Sequence, residues 1–487
     1  MKLEIYRLVL KQFMVFCIWV VLARISKGFA LPIMAIFGII WAFNSKFGKA
    51  FSIYAMLLFM VVLNPFILPK SSIVYTIGLR FGPLIVGLAL AMRSMTITSK
   101  EALPMGLMIA YLVISIVSSI GGWCPPVSYL KLANFAIFFI GIWLGSKGLQ
   151  FDADGVVLLR ATMLSLAAFL VVGSVVTLPF PGISTLNSFR ILSEFDDLGV
   201  RNQIIKEMID SGGMTLFCGV TAHSQMLSPL LVCAFSFVIC DMLFVEGGFR
   251  WPHAFTLACA LPLLYMTRSR TALLGLVVIL SIIYFYLPRK LSLNRRMRKW
   301  VGQILLVGGG CLIVLALVSE IRGNAISRWV RKTDDVTTDQ RSLSEAVTAS
   351  RQGLIEMCMN DFHRNPLFGM GFQVAEYTAQ RAAMNAGLVL SAPIEKGVIP
   401  IMILGETGMV GAIVFSAFLL FFYSGCSSKR LFLSLTMMTI LLALNMGEAT
   451  FFSPGGIGGP QWLFCIVGGY ALDLSVKLRF GKGYKLA

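Results

Sequence analysis

The chain has 487 residues, 57% of them hydrophobic and only 13% charged, with a formal net charge of +18. Its mean hydropathy of +0.83 excludes a soluble globular class. Most basic residues sit in short connections between apolar runs, so the positive balance reads as topological bias and contact with anionic lipid, not as nucleic-acid binding.

The chain opens MKLEIYRLVLKQFMVFCIWVVLARIS, a basic start and an apolar stretch without a small-residue cleavage site. This reads as a retained first span, not a signal peptide. Apolar runs then recur at approximately 12–24, 28–44, 50–69, 73–92, 103–121, 128–146, 155–177, 214–244, 253–267, 271–288, 301–320, 397–424, 431–447 and 460–476. The expected fold is an all-α polytopic membrane protein of about 12–14 transmembrane helices. Its expected parts are a bundle over 1–320 with an outer loop at 178–213, a long, partly helical outer loop at 321–396, and C-terminal helices over 397–487. The ten cysteines lie mostly inside apolar runs. None has zinc-ligand spacing, so they read as buried thiols, and no metal or cofactor is expected.

Lys and Arg in the short loops set an orientation with both termini cytoplasmic. The inside set includes Lys46, Lys49, Arg93, Lys147, Arg250, Lys429, Arg430 and the cluster RKLSLNRRMRK at 289–299. The stretch MTRSRTALLG at 266–275 then becomes an outer-face hairpin between two spans. The positive-inside rule does not account for Arg268 and Arg270 there. They are either turn charges facing headgroups or the holders of something negative.

The outer loop 321–396 reads as folded. Ser342-Leu-Ser-Glu345 has the form of a capping box, and Leu343, Val347, Leu354 and Cys358 recur at helical spacing, which predicts a helix over about 343–360. It ends at HRNPLFGMGF, where Asn365-Pro366 disfavours helix and Gly369 and Gly371 permit unusual backbone angles. A second helical stretch is expected over about 372–386.

Four stretches, in order, resemble the O-antigen ligase and O-antigen polymerase superfamily. LFCGVTAHSQMLSPLL (216–231) is similar to the family's span with a His followed by small polar residues. TRSRTALLG (267–275) resembles its Ser-Arg span opening, and SRQGLIEMCMNDFHRNPLFGMGF (350–372) its outer-loop pattern of Arg, helix and Pro-Leu-x-Gly-x-Gly. VIPIMILGETGMVG (398–411) resembles its Glu-x-Gly span. The resemblance implies a GT-C-like membrane fold in a bacterial inner membrane. The donor would be a glycan on undecaprenyl diphosphate. The acceptor would be another lipid-linked glycan or lipid A core, and transfer would be inverting and metal-independent.

Carried onto this sequence, Arg270 and Arg351 become candidates for stabilising the diphosphate, with Arg268 as a second clamp or a snorkelling charge. Lys396 and Glu406 become substrate-binding candidates, Glu406 also a partner for an arginine inside the bundle. The span 214–244 places His223 about nine residues in, roughly 13 Å deep, as a site group or a packing residue. The family's His before the Glu-x-Gly span is replaced in PIEKGVIP, and no His follows His363. Glu395 either takes that role or forms an interfacial ion pair with Lys396. The missing His tilts the reading toward a polymerase over a ligase, with a protein O-oligosaccharyltransferase as a third member of the superfamily. A lipid-glycan flippase is the alternative of another class. Flippases tend to carry internal repeats and midplane charges, whereas no repeat is visible here.

Overall fold

The structure is a computed structural model, described here for residues 2–64, 67–68, 73–95, 99–180, 217–246, 250–287, 343–374, 398–447 and 450–480. The protein is an all-α polytopic membrane protein. Among the described residues the only β pairing is an isolated bridge between Leu63 and Thr221. Six described helical stretches are long and apolar enough to cross a bilayer, and shorter apolar helices accompany them.

In chain order the helices are α1 (Lys2–Ile25), α2 (Ala30–Phe43), α3 (Phe47–Val61), α4 (Ile73–Arg93), α5 (Ser99–Ile120), α6 (Pro125–Gly148) and α7 (Ala153–Thr177). Then come α8 (Ser224–Cys240), α9 (Trp251–Met266), α10 (Arg270–Ser281), α11 (Leu343–Arg364), α12 (Ile399–Ser428) and α13 (Phe432–Asn445). The last, α14 (Gly458–Trp462), passes through a π-helical segment (Leu463–Gly468) into α15 (Gly469–Phe480). The expected span at 301–320 and residues 375–386 of the second loop helix lie outside the described residues. The capping-box helix is present as α11 and runs four residues past its expected end.

The chain forms two compact units. The first comprises Met1–Val61, Lys70–Ser165 and Arg351–Leu478. Here α4 packs against α2, α3 and α6, and α5 packs against α12. The α4–α6 approach is backbone-close at its middle. A Cβ on Gly141 would stand 2.8 Å from the Gly87 backbone, so only a small residue lets these helices touch. Large side chains fill the interior, with Phe135, Phe138, Phe139 and Trp462 all buried and packed ring to ring.

The second unit comprises Val62–Pro69, Leu166–Ser350 and Arg479–Ala487. Its centre is α8, buried at every position from Leu227 to Val245, as expected of a helix that is apolar all round. Both α9 and α10 pack on it. One expectation is corrected. The apolar run 214–244 is not one helix, because α8 begins only at Ser224. The described residues before it, 217–223, turn at Gly219 and make an isolated bridge to residues 62–64. Asn64 N–H donates to Val220 O at 2.8 Å and Ala222 N–H to Val62 O at 2.9 Å. A short apolar run reads equally well as extended chain or helix. His223 therefore stands at the mouth of α8 and not 13 Å inside it.

Candidate active site

In the first unit, HRNPLFGMGF closes onto α12 where that helix is broken. Gly408 has φ 63° and ψ −164°, far from helical values. In an unbroken helix the Met409 and Val410 N–H groups would donate to the Gly405 and Glu406 carbonyls. Here Met409 N–H donates to Pro366 O at 2.8 Å and Val410 N–H to Leu367 O at 3.3 Å. The two vacated carbonyls are taken by the same loop. Met370 N–H donates to Gly405 O at 2.9 Å and Gly371 N–H to Glu406 O at 3.1 Å. Two helical hydrogen bonds are thus replaced by four to one inserted segment. Freed backbone groups at membrane depth are tolerated only when satisfied in this way.

The insertion needs two glycines with positive φ. A Cβ on Gly369 (φ +70°) would stand 2.6 Å from Glu406 O and Thr407 N, and one on Gly408 would stand 2.5 Å from Phe368 N. Helix α5 and the start of α6 fix the far side of the loop. Ser118 Oγ accepts from Gly371 N at 3.1 Å and donates to Glu406 O. Ser119 Oγ accepts from Phe372 N at 3.3 Å, and Ser128 Oγ donates to Phe372 O at 2.8 Å. Trp123, in the α5–α6 turn, donates from its backbone to Met370 O at 3.2 Å.

The Trp123 side chain also holds α11. Its Nε1–H donates to buried Asp361 Oδ1 at 2.9 Å, and the Arg364 guanidinium lies 4.7 Å from its ring centroid. A cation over an indole face is attractive. We expect Asp361→Ala to destabilise the protein by about 1.5–3 kcal/mol, the usual worth of one hydrogen bond to a charged group. Thermal unfolding in detergent checks this, with an unchanged midpoint as the contrary result.

Glu406 is fully buried at the break. Its backbone carbonyl accepts from the inserted loop and from Ser118. Arg351 lies on α11, and its helix is described but its side chain is not. Glu395 and Lys396 lie outside the described residues.

In the second unit, MTRSRT is a tight turn between α9 and α10. Thr267 N–H donates to Leu263 O and Arg268 N–H to Tyr265 O, both at 3.2 Å, closing α9. Ser269 then caps α10, its side chain accepting from Ala272 N at 3.3 Å. Arg270 is the first residue of α10 and is half-buried. Arg268 adopts φ +51°. This left-handed position after a helix usually holds glycine, and a non-glycine there costs about 1 kcal/mol. Lys27 and Arg430 take the same conformation after α1 and α12, where a cation also meets the helix dipole favourably. We expect Arg268→Gly to leave stability unchanged or slightly raised, by up to about 1 kcal/mol, while lowering turnover. Paired melting and rate measurements check this. Full turnover at unchanged stability would make Arg268 a turn residue only.

His223 is the N-cap of α8, its Nδ1 accepting from Gln225 N at 3.1 Å. That bond places the proton of the neutral ring on Nε2. In this state His223 offers a donor and not a base. Its carbonyl is also held, by Thr221 Oγ1 at 2.9 Å.

Part of this geometry lies on a stretch that is similar to a known family. Residues 255–416 match the O-antigen ligase family. The match begins in α9, contains the Arg268–Arg270 hairpin, α11 and its insertion loop, and ends in α12 beyond Gly408. His223 lies outside it. No curated protein matches the chain. The O-antigen ligase match supports glycosyl transfer as the general activity, with a lipid bilayer and lipid-linked glycans as surroundings and substrates.

Sequence reasoning passed over a further group in the first unit. Arg80 on α4, Lys131 and Asn134 on α6, and Gln373 beyond the insertion loop line one cavity. Two of them are charges inside apolar runs of the sequence, Lys131 within a helix long and apolar enough to cross a membrane, and such charges mark function by default.

Proposed function

We propose that the protein moves a glycan from undecaprenyl diphosphate to an acceptor hydroxyl on the outer face of a bacterial inner membrane, with both termini cytoplasmic. The acceptor oxygen attacks the anomeric carbon, the bond from that carbon to the phosphate oxygen breaks, and the diphosphate lipid departs. Charge develops on the diphosphate as that bond breaks, and fixed guanidinium groups stabilise it without reorganising. Arg270, with Arg268 beside it, takes that role, and Arg351 on α11 supplements it. Glu395 receives the acceptor proton, Lys396 and Glu406 serve substrate binding, and His223 donates to a glycan oxygen. No metal or cofactor enters this scheme.

The observation that carries this reading is the hairpin itself. It fixes two arginines by a helix C-cap and a helix N-cap within three residues, inside the matched segment. Within the superfamily we favour polymerisation of lipid-linked repeats over transfer to lipid A core, because PIEKGVIP lacks the family His. The purified protein would be given lipid-diphosphate oligosaccharide with and without lipid A core. Chain elongation by donor alone is the expected result, and transfer to core alone would assign a ligase. Glycan arriving on an acceptor polypeptide would assign a protein O-oligosaccharyltransferase.

A further inference from the structure

The cavity between α4 and α6 has a volume of about 190 Å³. Helix α6 contributes Leu130, Lys131, Ala133, Asn134 and Ile137, a single helical face. Helix α4 contributes Arg80, Phe81 and Leu84. The helices touch at Gly87 and Gly141 and leave room further along. Gln373 and the Phe452–Gly455 turn close the end. Every described lining residue belongs to the first unit.

Its chemistry is one-sided. Among the described residues that line it are two cations, two amides and the Ser453 hydroxyl, and none of these residues is acidic. Arg80 is half-buried and has no hydrogen-bond or ion-pair partner among the described residues. A guanidinium held partly out of water is costly unless an anion meets it. Lys131 is buried and donates to Gln373 O at 2.9 Å, which aims one cation at the cavity wall formed by the insertion loop. Gln373 itself is buried with φ +51°, a conformation that costs a non-glycine residue about 1 kcal/mol. Apart from Ser453 the other lining residues are apolar, and two of them, Phe81 and Leu130, are large hydrophobics exposed on the surface of α4 and α6. A free inorganic ion would gain nothing from such walls, whereas an anion carrying a hydrocarbon chain meets both halves.

We propose that this cavity is a lipid-phosphate site, in which Arg80 and Lys131 hold the phosphate of an amphiphile whose chain leaves past Phe81 and Leu130. The site stands apart from the arginine hairpin in sequence and unit, and it does not depend on the transfer reading. The guanidinium fork and the ammonium supply charge-assisted donors to phosphate oxygens, and Asn134 and Gln373 supply neutral ones.

Binding to the full-length protein in detergent would be measured with three probes, namely farnesyl phosphate, inorganic phosphate and farnesol. Protein carrying Arg270→Ala would be used, so that the hairpin does not contribute. Farnesyl phosphate should bind saturably at one site and both half-molecules much more weakly. Arg80→Gln should weaken the farnesyl phosphate affinity by about tenfold or more, the scale of one charged hydrogen bond, and Arg80→Lys should restore part of it. Equal affinity for inorganic phosphate would overturn the amphiphile assignment. An Arg80→Gln affinity equal to that of the parent protein, with its unfolding midpoint unchanged, would overturn the site.

Discussion

Gly408→Ala should be among the most damaging single-methyl changes in this protein. Alanine at φ 63° and ψ −164° enters a region open essentially to glycine alone. Its Cβ would also sit 2.5 Å from Phe368 N, and that backbone is held in place by the bonds from Met409 and Val410. Strain and overpacking together come to about 3 kcal/mol or more. Relief requires the insertion loop to leave α12, which strands four backbone groups. Gly369→Ala should behave alike, because its Cβ meets the Glu406–Thr407 backbone from the other side. Gly425→Ala is the control in the same helix. Nothing lies within 4 Å of a Cβ there, and alanine is the better helix former by about 1 kcal/mol. Unfolding midpoints in detergent should fall for the first two and hold or rise for the third. Equal midpoints for all three would mean that the loop is not wedged into the helix.

Arg270→Ala carries the second large effect. As the first residue of α10, Arg270 makes no helical hydrogen bond that alanine would lose, and the Ser269 cap remains. Stability should therefore change little. Turnover should fall about 100-fold or more, the usual loss when one preorganised donor to a developing anion is removed. Arg270→Lys should recover only part, since an ammonium is a point charge without the planar fork. A rate within twofold of the parent at equal folded yield would remove the clamp. That outcome would leave the lipid-phosphate cavity untouched, because its residues belong to the other unit.

Much of the frame was legible in the sequence because it rests on local rules. Hydropathy marked the spans, Ser342-Leu-Ser-Glu345 marked the start of α11, and Arg268-Ser269-Arg270 marked a turn. The wedge was not legible. Gly369, Gly371 and Gly408 signal unusual backbone angles, but nothing local says that residues 366–371 pair with 405–410. That pairing is a long-range backbone contact with no side-chain signature. Arg80 and Lys131 were visible as charges within apolar runs, yet only the packing of α4 on α6 brings them to one cavity. The depth of His223 was misjudged for a different reason. Residues 217–223 continue the largely apolar run of the helix that follows, and periodicity over so short a run does not separate a bridge and turn from helix.

The most direct measurement is the fate of the lipid in a reconstituted reaction. Vesicles containing the protein and a lipid-diphosphate oligosaccharide would be sampled over time for free polyprenyl diphosphate and for new glycosidic bonds. One diphosphate lipid should be released for each bond formed, and Arg270→Ala should slow both together. Movement of intact lipid-linked glycan across the bilayer, with no release and no new bond, would contradict a transferase and point to a flippase.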